Sequence, residues 1–394
     1  MIRKARETIS PIVQNTPIFT SQRMAENLFI KMENLQKTGS FKIRGAYNKI
    51  ANLTKDEAKK GVIACSAGNH AQGVAISATA QGIKSYITIP SIAPLAKIDA
   101  TRQYGGEVII AEGLYDDAYE LALKIQKEKD LTFVHPFNDE YVMAGQGTIG
   151  LEILEELPDV KYIIVPIGGG GLISGIAVAV KEQNPNCKII GVQTELMPSM
   201  KVSVEKGELT TVEGANSLAD GILVKTPGDK TFEIVKKYVD DIVTVSEDEI
   251  ALALLRLLEE GKVSAEGAGA ASIAAVLAKK YDFKNEPVCA VLSGGNINIM
   301  TVSKIIKQGL FKTGRLTEIT TKIPDRPGEL IKLLNILKEI GCNILNIEQY
   351  TEHSMVDVNC YVVRLVVETF NCEHQNSLYK RLEDEGYSYF EELN

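Results

Sequence analysis

The chain has 394 residues, with 43 basic and 51 acidic side chains and a formal net charge of -8. This length allows roughly two or three domains with a large core, and the mildly acidic charge without a basic block argues against nucleic acid as the main partner. The charged start, residues 1–7, lacks a following apolar signal-peptide region, so we expect a cytoplasmic protein.

The cysteines and the longest apolar run exclude two further classes. The six cysteines show no Cys-x-x-Cys spacing and mostly lie in apolar surroundings, which predicts reduced, buried thiols at Cys65, Cys187, Cys289, Cys342, Cys360 and Cys372. Residues 163–180 are uncharged but contain Pro166 and four consecutive glycines. This pattern favours a buried strand, loop and helix over a membrane span.

Residues 1–27 predict a helix and an extended lead-in, and strand-like and helix-like segments then alternate to about residue 310. Repeated β-α units with continuously apolar strands indicate an α/β fold with a parallel sheet covered on both faces. The predicted helices lie near 69–81, after Pro94, near 115–129 and after the glycine-rich loop to about 184. The predicted strands are 28–30, 61–65, 85–90, 107–110, 131–134, 162–165, 188–192 and 288–292.

The pattern changes at residues 311–315, which we interpret as a linker. Residues 316–322 alternate as a half-buried strand, and an amphipathic helix follows with apolar positions at Leu330, Leu333, Leu334, Leu337 and Ile340. Strands near 344–350 and 360–367, a helix near 374–385 and a short last strand complete a β-α-β-β-α-β order. The sequence therefore predicts a ferredoxin-like C-terminal module over residues 316–394.

The first chemically informative stretch is residues 38–46, which read Thr-Gly-Ser-Phe-Lys-Ile-Arg-Gly-Ala. Ser40 is a candidate N-cap, which would place Lys42 in the first turn of a helix. The positive end of the helix dipole lowers the pKa of an amine there and favours a neutral nucleophile suited to Schiff-base chemistry. A solvated surface lysine is the simpler alternative.

Three more stretches lie where predicted strands end: Ser-Ala-Gly-Asn-His-Ala-Gln-Gly at 66–73, Gly-Gly-Gly-Gly-Leu at 168–172 and Ser-Gly-Gly-Asn at 293–296. Backbone N–H groups at a helix start bind anions, and consecutive glycines let the backbone approach a phosphate. A dinucleotide site is the alternative for the second stretch, with Glu195 about 20 residues beyond it. However, Ser174 replaces the third glycine of that fingerprint, and Lys42 would remain unexplained.

In this order, the four motifs closely resemble those of the fold-type II pyridoxal-phosphate enzymes, specifically the threonine dehydratases (threonine ammonia-lyases). The resemblance spans most of the first 310 residues. It implies a pyridoxal-phosphate-dependent catalytic domain over residues 1–310, made of two open twisted α/β subdomains, the smaller one inserted at about 45–145.

The resemblance assigns Lys42 as the catalytic residue that holds the cofactor covalently. It implies cofactor contacts from Phe41, Asn69, Gly168, Gly169, Gly170, Gly171, Leu172 and Ser293, and substrate contacts from Ser66, Ala67, Gly68, Asn69, His70 and Glu266. Simpler roles stay open for several of them. Asn69 would otherwise be a helix cap, His70 a structural residue, Ser293 a turn serine and Glu266 a helix-start carboxylate.

The expected reaction is conversion of L-threonine to 2-oxobutyrate and ammonia, and of L-serine to pyruvate, with Lys42 removing the Cα proton. A hydroxyl such as that of Ser293 need not keep the cofactor's ring nitrogen protonated, which suits elimination of a β-hydroxyl. Serine racemases have a serine base at the position of Ala67. Alanine cannot exchange that proton, so we expect weak racemisation.

We expect no metal site. The four histidines, His70, His135, His353 and His374, are dispersed. Related serine racemases and some dehydratases hold a cation with a glutamate and a second acidic residue; Glu195 matches the first, but Lys201 stands at the second and is a candidate to supply the charge instead. The sequence does not indicate the local fold around Ser203, Ser217 and Asp220.

The C-terminal module resembles an ACT domain, chiefly in the turn at residues 325–328, which reads Asp-Arg-Pro-Gly. The resemblance implies an amino-acid effector, for which Asn343 and Asn346 are candidate contacts, and a homo-oligomer, either a dimer or a tetramer. The alternative is an oligomerisation module without a ligand. Both isoleucine biosynthesis and threonine catabolism are compatible with this arrangement.

Other functions remain as alternatives. Within the same enzyme class they are serine racemase and the β-replacement synthases, such as cysteine synthase and threonine synthase, which carry a different context around the lysine. The alternative from another class is an amino-acid sensor with a vestigial cofactor site. The presence of every motif residue expected for chemistry argues against a sensor.

Overall fold

The computed structural model describes residues 1–20, 23–350 and 358–390, without the side chains of Tyr389 and Phe390. It divides into two compact units, Met1–Ile297 and Asn298–Asn394. The first unit ends before the predicted domain boundary at residue 310, and the first residues of the predicted linker belong to a helix, Ile299–Lys312. The division of function between residues 1–310 and 316–394 stays a prediction.

The first unit alternates helices and strands, as predicted. Its helices are α1 (Ile2–Ile9), α2 (Lys42–Ala51), α3 (Lys55–Lys60), α4 (Asn69–Thr79), α5 (Leu95–Gln103), α6 (Tyr115–Lys129), α7 (Glu140–Glu156), α8 (Gly171–Lys181), α9 (Ser199–Lys206), α10 (Asp229–Tyr238), α11 (Glu247–Arg256) and α12 (Gly267–Leu277). Short 3-10 helices span Glu33–Leu35 and Asp220–Ile222, and a π-helical turn spans Leu257–Gly261. The strands are β1 (Ile18–Thr20), β2 (Leu28–Met32), β3 (Val62–Cys65), β4 (Ser85–Pro90), β5 (Glu107–Ala111), β6 (Thr132–Phe133), β7 (Tyr162–Pro166), β8 (Lys188–Thr194), β9 (Asp241–Val245) and β10 (Val288–Leu292).

These strands form two sheets. The larger sheet has the order β1-β2-β10-β7-β8-β9, and its neighbours are parallel except for the antiparallel edge pair β1-β2. The smaller sheet, β5-β4-β3-β6, is parallel throughout. Its strands fall within the predicted insertion at 45–145. The predicted α/β fold is therefore confirmed, with a parallel sheet in each part.

Both faces of the smaller sheet are covered. Val62 and Ala64 of β3 join one apolar cluster with α4, whereas Ile63 and Cys65 join another with α6. Because side chains alternate along a strand, a continuously apolar strand is required when helices cover both faces. The same reasoning applies to β7 and β10, whose residues are all buried.

Helix α7 was not predicted from the sequence. Glycines at 145, 147 and 150 weaken a helix signal, because glycine is a poor helix former. In the structure they allow close packing: a Cβ on Gly145 would lie 2.5 Å from the Arg44 carbonyl oxygen, and one on Gly147 would lie 2.7 Å from that of Gly175. Tertiary packing of α7 against α2 and α8 thus outweighs its weak local propensity.

The second unit contains α13 (Ile299–Lys312), β11 (Leu316–Pro324), α14 (Glu329–Ile340), β12 (Asn343–Tyr350), β13 (Cys360–Glu368), α15 (Cys372–Asp384) and β14 (Tyr389–Phe390). Its sheet order is β12-β13-β11-β14, with every neighbour antiparallel. Leu333 and Leu337 of α14 are buried in the core between helices and sheet. After α13, the ferredoxin-like order is confirmed.

Two general predictions are also addressed by the structure. No helix in the described ranges is long and apolar enough to cross a membrane. The six cysteines are free; Cys65, Cys187 and Cys289 are buried, as predicted, whereas Cys342 and Cys360 are half-buried. Cys372 is exposed at the start of α15, so the prediction of burial is wrong there.

Candidate active site

The helix that carries Lys42 begins just past the predicted cap. Lys42 is the first residue of α2, and Phe41 occupies the N-cap position without a side-chain cap. Ser40 pairs with Gly294 through its backbone, and its buried Oγ has no hydrogen-bond partner in the described structure. The prediction that Ser40 caps α2 is therefore wrong, because this pairing holds Ser40 before the cap position.

Lys42 as a whole residue is half-buried, but its amine is enclosed by the protein. Its Nζ donates to the Pro136 carbonyl oxygen at 2.9 Å and lies 5.2 Å from the centroid of the Phe41 ring. Burial lowers the pKa of Lys42 to about 8, although the negative charge of Glu266 opposes the shift. The lowered pKa agrees with the prediction. Its largest cause, however, is burial and not the helix dipole, which was the expected cause.

The predicted carboxylate-binding loop lies between β3 and α4. The backbone N–H of Gly68 donates to Ser66 Oγ at 3.2 Å, and Asn69 is the first residue of α4. A Cβ on Gly68 would lie 3.9 Å from Lys97 Nζ, so a lysine of α5 stands beside the loop. Lys97 is itself paired with Asp220 at 3.1 Å. Helix-start N–H groups next to an ammonium group suit a substrate carboxylate.

Asn69 and Glu266 meet directly, although they are far apart in sequence. Asn69 Nδ2 donates to Glu266 Oε1 at 2.7 Å, and Asn69 Oδ1 accepts from Asn296 Nδ2 at 2.7 Å. Neither Asn69 nor Glu266 caps its helix. The cap role considered for Asn69 is therefore wrong, whereas Glu266 does stand at the start of α12, as the helix-start alternative expected.

Glu266 is a buried acid close to neutrality. It is 7% exposed. Burial and, to a lesser extent, the nearby charge of Asp220 raise its pKa to about 7, although the hydrogen bond from Asn69 opposes the shift. A carboxyl with a strongly shifted pKa beside a lysine with a shifted pKa is typical of a functional site.

His70 has a structural role in this arrangement. Its Nε2 donates to the Val134 carbonyl oxygen at 2.8 Å, since a carbonyl can only accept. Burial lowers the pKa of His70 to about 3, and the charge of Lys42 adds to the effect. The imidazole is therefore neutral and holds α4 to the end of β6.

The predicted phosphate loop joins β7 to α8. Gly170 has φ +95°, a conformation that favours glycine. A Cβ on Gly169 would lie 2.4 Å from the Phe137 ring, and Thr231 Oγ1 donates to the Gly169 carbonyl oxygen at 2.6 Å. The first N–H groups of α8, which begins at Gly171, have no acceptor within the helix and can bind an anion.

Ser293 connects the end of β10 to the Lys42 segment. It is 3% exposed, and its carbonyl oxygen accepts from the Phe41 N–H at 3.1 Å.

Together, the groups of this site fit pyridoxal phosphate. Lys42 offers an amine of lowered pKa, α8 offers N–H groups for a phosphate, and Asn69 and Ser293 offer polar side chains for a ring.

The lysine beside Glu195 is Lys280, not Lys201. Lys280 Nζ lies 3.6 Å from Glu195 Oε1 and 2.9 Å from Glu249 Oε1. Lys201 Nζ lies 3.9 Å from Glu205 instead, one turn along α9. The lysine that pairs with Glu195 is therefore Lys280, and a role of Lys201 in place of a cation stays a prediction.

The remaining polar residues named in the sequence form no metal site within the described ranges, and two of the serines have local partners. Across residues 1–20, 23–350 and 358–390, no group of three or more His, Cys, Asp or Glu side chains could hold a metal ion; His353 lies outside these ranges. Ser203 Oγ donates to the Ser199 carbonyl oxygen at 2.7 Å, and Ser217 Oγ donates to Glu247 Oε1 at 2.5 Å. These two serines therefore support the local backbone and a neighbouring helix.

The candidate effector residues lie in the second unit. Asn343 Nδ2 donates to Glu368 Oε2 at 3.2 Å, and Asn346 Nδ2 donates to Glu348 Oε1 at 3.0 Å. Both asparagines are exposed on β12, where a bulge interrupts the register between Ile344 and Asn346. Their role in effector binding stays a prediction.

Sequence analysis missed several residues that shape the site. Asn296 lies inside the recognised Ser-Gly-Gly-Asn motif, so a signal for it was present although no role was assigned. The others meet the site through long-range packing, for which no local pattern exists: Lys97, Pro136, Phe137, Thr231 and Lys280.

Comparisons with known proteins agree with this geometry. The family model for pyridoxal-phosphate dependent enzymes matches residues 9–294. An L-threonine ammonia-lyase of Thermotoga maritima is 52% identical over 390 residues, covering 98% of this chain and 97% of that protein. The structure of the processed form of threonine deaminase isoform 2 from Solanum lycopersicum matches with a TM-score of 0.74 and 36% identity, over 78% of this chain and 92% of that one.

A solved maize serine racemase is equally similar in fold, with a TM-score of 0.74 and 36% identity over 79% of this chain and 97% of that one. The racemase is 36% identical to this chain, whereas the L-threonine ammonia-lyase of Thermotoga maritima is 52% identical over 98% of it. The chain therefore belongs to the pyridoxal-phosphate-dependent enzyme family, with pyridoxal phosphate as its cofactor, and within that family to the threonine ammonia-lyases.

Proposed function

We propose that this chain converts L-threonine to 2-oxobutyrate and ammonia, and L-serine to pyruvate and ammonia, with Lys42 as the catalytic base. The water lost with the β-hydroxyl is returned when the resulting enamine product tautomerises and is hydrolysed, so the net loss from the amino acid is ammonia. The observation that carries the proposal is the enclosed Lys42 amine, whose pKa is lowered to about 8 beside Glu266 and the Ser66–His70 loop.

Bound pyridoxal phosphate supplies an electron-withdrawing ring that acidifies the Cα–H of an attached amino acid. The residues of the chain do the rest. The loop at 66–69 binds the substrate carboxylate, with the Lys97 ammonium nearby, and Lys42 Nζ takes the Cα proton in its neutral form. Asn69, Ser293 and the N–H groups from Gly168 to Leu172 would hold and orient the cofactor, and Phe41, beside Lys42, would contact it.

The chirality of the reaction follows from Ala67. This residue is half-buried, stands at the position where serine racemases have a serine base, and carries no group that exchanges a proton. With a single proton-transferring residue, the enzyme removes the Cα proton from one face and cannot return it to the other. Elimination from the L-isomer is therefore favoured over racemisation.

The test is 2-oxo acid release from L-threonine, L-serine and their D-isomers, together with chiral analysis of the remaining serine. The proposal expects rapid release from the two L-isomers and no accumulation of D-serine. Rapid formation of D-serine would favour the racemase alternative. Absence of 2-oxo acid despite a yellow, cofactor-loaded protein would favour a synthase or a sensor.

For the second unit, we infer that the ferredoxin-like module binds an amino-acid effector near Asn343 and Asn346 and that the chain forms a dimer or tetramer. The exposed edge strand β12 carries both asparagines, whose amides are available to a ligand if they exchange their carboxylate partners. Rates measured with and without isoleucine, for the parent and for Asn346→Ala, test the site. Inhibition that the variant loses supports feedback control of isoleucine biosynthesis, whereas rates indifferent to isoleucine point to threonine catabolism.

A further inference from the structure

We propose that Asn296 is a positioning residue that fixes the orientation of the Asn69 side-chain amide, so that Asn69 presents its nitrogen, a donor, to the cofactor. The inference rests on the proposed contact of Asn69 with the cofactor and adds a residue to which the proposed reaction assigns no role. It follows from a one-directional chain of hydrogen bonds that begins at a backbone carbonyl.

The chain begins at Thr38. Its carbonyl oxygen can only accept, so the Asn296 side-chain atom 2.8 Å away must be the nitrogen, Nδ2. The same Nδ2 lies 2.7 Å from the Asn69 side chain. Because both hydrogens of Nδ2 are then used as donors, the Asn69 atom that faces Asn296 must be an acceptor, which is Oδ1.

The other end of the Asn69 amide agrees with this orientation. With Oδ1 facing Asn296, Nδ2 faces Glu266 and donates to Oε1 at 2.7 Å. Glu266 also receives the backbone N–H of Asn296. One hydrogen of Asn69 Nδ2 is thereby used, and the second remains to be donated to an oxygen of a ligand.

Glu266 alone would be an unreliable holder for the amide. Burial raises its pKa to about 7, and a protonated carboxyl can donate as well as accept. The charged groups that shift the pKa of Glu266 are Asp220 and Lys97. Glu266 in turn raises the pKa of Lys42. The Thr38–Asn296 end does not titrate, so it holds Asn69 in one orientation on both sides of neutrality.

The turn before Lys42 is built around Asn296. Gly39 has φ +69°, and a Cβ on it would lie 2.4 Å from Asn296 Oδ1. The Gly295 N–H donates to the Gly39 carbonyl oxygen at 2.8 Å. Asn296 therefore links the Asn69 amide to the segment that leads into α2 and the catalytic lysine.

The experiment compares Asn296→Asp with Asn296→Ala. A carboxylate has the size of the amide but only acceptors, so it would repel Thr38 O and Asn69 Oδ1 and favour the flipped Asn69 amide. Alanine removes the interaction but leaves Glu266 to hold Asn69. We expect the aspartate variant to weaken cofactor binding roughly ten- to a hundredfold, and the alanine variant only roughly two- to tenfold.

Three readouts accompany each variant: the dissociation constant of pyridoxal phosphate from dialysed apoenzyme, the absorption band of the bound cofactor, and the Tm of the apoenzyme. A packing role for Asn296 predicts the opposite order, with the smaller alanine more damaging than the isosteric aspartate. Asn298→Asp is the matched control, because it adds the same charge nearby at an N-cap position that aspartate fills equally well.

A larger loss of affinity and a shifted absorption band in Asn296→Asp, with the apoenzyme Tm retained, are the expected result. Equal or larger effects of Asn296→Ala, or an unchanged band in both variants, would overturn the proposal. If Asn296→Asp does not fold, unchanged affinity and band in Asn296→Ala would overturn it. Asn69→Ala separates the two claims: if it leaves cofactor affinity and the band unchanged, the assumed cofactor contact of Asn69 fails as well.

Discussion

Two cations on the same helix, Lys42 and Arg44, show how their surroundings decide what a buried charge does. Arg44 is fully buried, and its guanidinium group forms paired hydrogen bonds with Glu33 at 2.7 and 2.8 Å and with Glu152 at 2.6 and 2.9 Å. Burial opposes its charge, but the two carboxylates outweigh that effect and raise its pKa. Arg44 is therefore a permanently charged structural residue.

Lys42 has no such compensation. Its described polar partner is the Pro136 carbonyl oxygen, and within the described ranges no carboxylate lies at ion-pair distance from Nζ. Burial consequently lowers its pKa to about 8, with Glu266 too weak to reverse the shift. The comparison indicates that a buried cation becomes structural when carboxylates surround it, and becomes a reactive amine when they are withheld.

The largest effect is expected from removing the reactive amine. Lys42→Ala should reduce 2-oxobutyrate release from L-threonine by roughly a thousandfold or more, since it removes both the covalent attachment and the base. Lys49→Ala is the control, because Lys49 lies on the same helix and its ion pair is with Asp139 at 2.7 Å. Turnover by Lys42→Ala close to that of the control would contradict the assignment.

The next effect concerns the compensated cation. Arg44→Met would leave the buried carboxylate of Glu33 without its cation and Glu152 with only Lys31, at 2.8 Å. Removing one partner of a buried ion pair typically costs about 3–5 kcal/mol. We expect a matching fall in the free energy of unfolding of the apoenzyme, measured with urea. Arg44→Lys should recover only part of it, because an ammonium group cannot form the paired contacts. Wild-type stability of Arg44→Met would show that the network is not needed for folding.

A smaller, pH-dependent effect is expected at Glu266. Its pKa is raised from 4.5 to about 7 on folding, so the folded state is penalised as pH rises from about 4.5 through 7 and fully penalised above 7. Glu266→Gln keeps an acceptor for Asn69 and removes this penalty. The free energy of unfolding of the variant should therefore exceed that of the parent by a margin that grows from pH 5 to pH 8. The margin at pH 8 is at most about 3 kcal/mol. Urea unfolding of both apoenzymes at the two pH values measures the gain, and an equal difference at both would refute it.

The smallest effect sharpens the contrast between the two cations. Because the pKa of Lys42 falls from 10.5 to about 8 on folding, its charge destabilises the folded state below pH 8, and the penalty disappears as pH rises towards 10.5. The lowered pKa corresponds to at most about 3 kcal/mol at pH 7. Lys42→Met also leaves the Pro136 carbonyl oxygen without the Nζ hydrogen bond, which costs about 1–3 kcal/mol. The variant should thus stabilise the apoenzyme at pH 7 by a net of about 1 kcal/mol, while abolishing activity. A loss of stability like that of Arg44→Met would mean that Lys42 is also a structural cation.

Much of this arrangement follows from local sequence. Continuously apolar strands predicted the parallel sheets, and α6 and β10 have the predicted bounds, since their patterns and boundary residues agree. The order of the four glycine-containing motifs identified the elements that surround Lys42. Each of these features depends on residues close together in the chain.

The remaining features depend on contacts between distant residues. Arg44 meets Glu152, Asn69 meets Glu266 and Asn296, and Lys280 rather than Lys201 meets Glu195. Helix α7 forms although its glycines disfavour it, because they permit close contact with α2 and α8. Ser40 was wrongly predicted to cap α2, because its backbone pairing with the distant Gly294 leaves no signal in the local sequence.

The most direct test of the contrast is a measurement of the Lys42 pKa itself. Apoenzyme is labelled briefly with trace acetic anhydride between pH 6 and pH 11, and the labelled fraction of Lys42 is determined by peptide mass spectrometry. Only the neutral amine reacts, so the labelling rate follows deprotonation. We predict a midpoint near pH 8. A midpoint near 10.4, the value of an ordinary lysine, would show that burial does not activate this amine and would contradict the account.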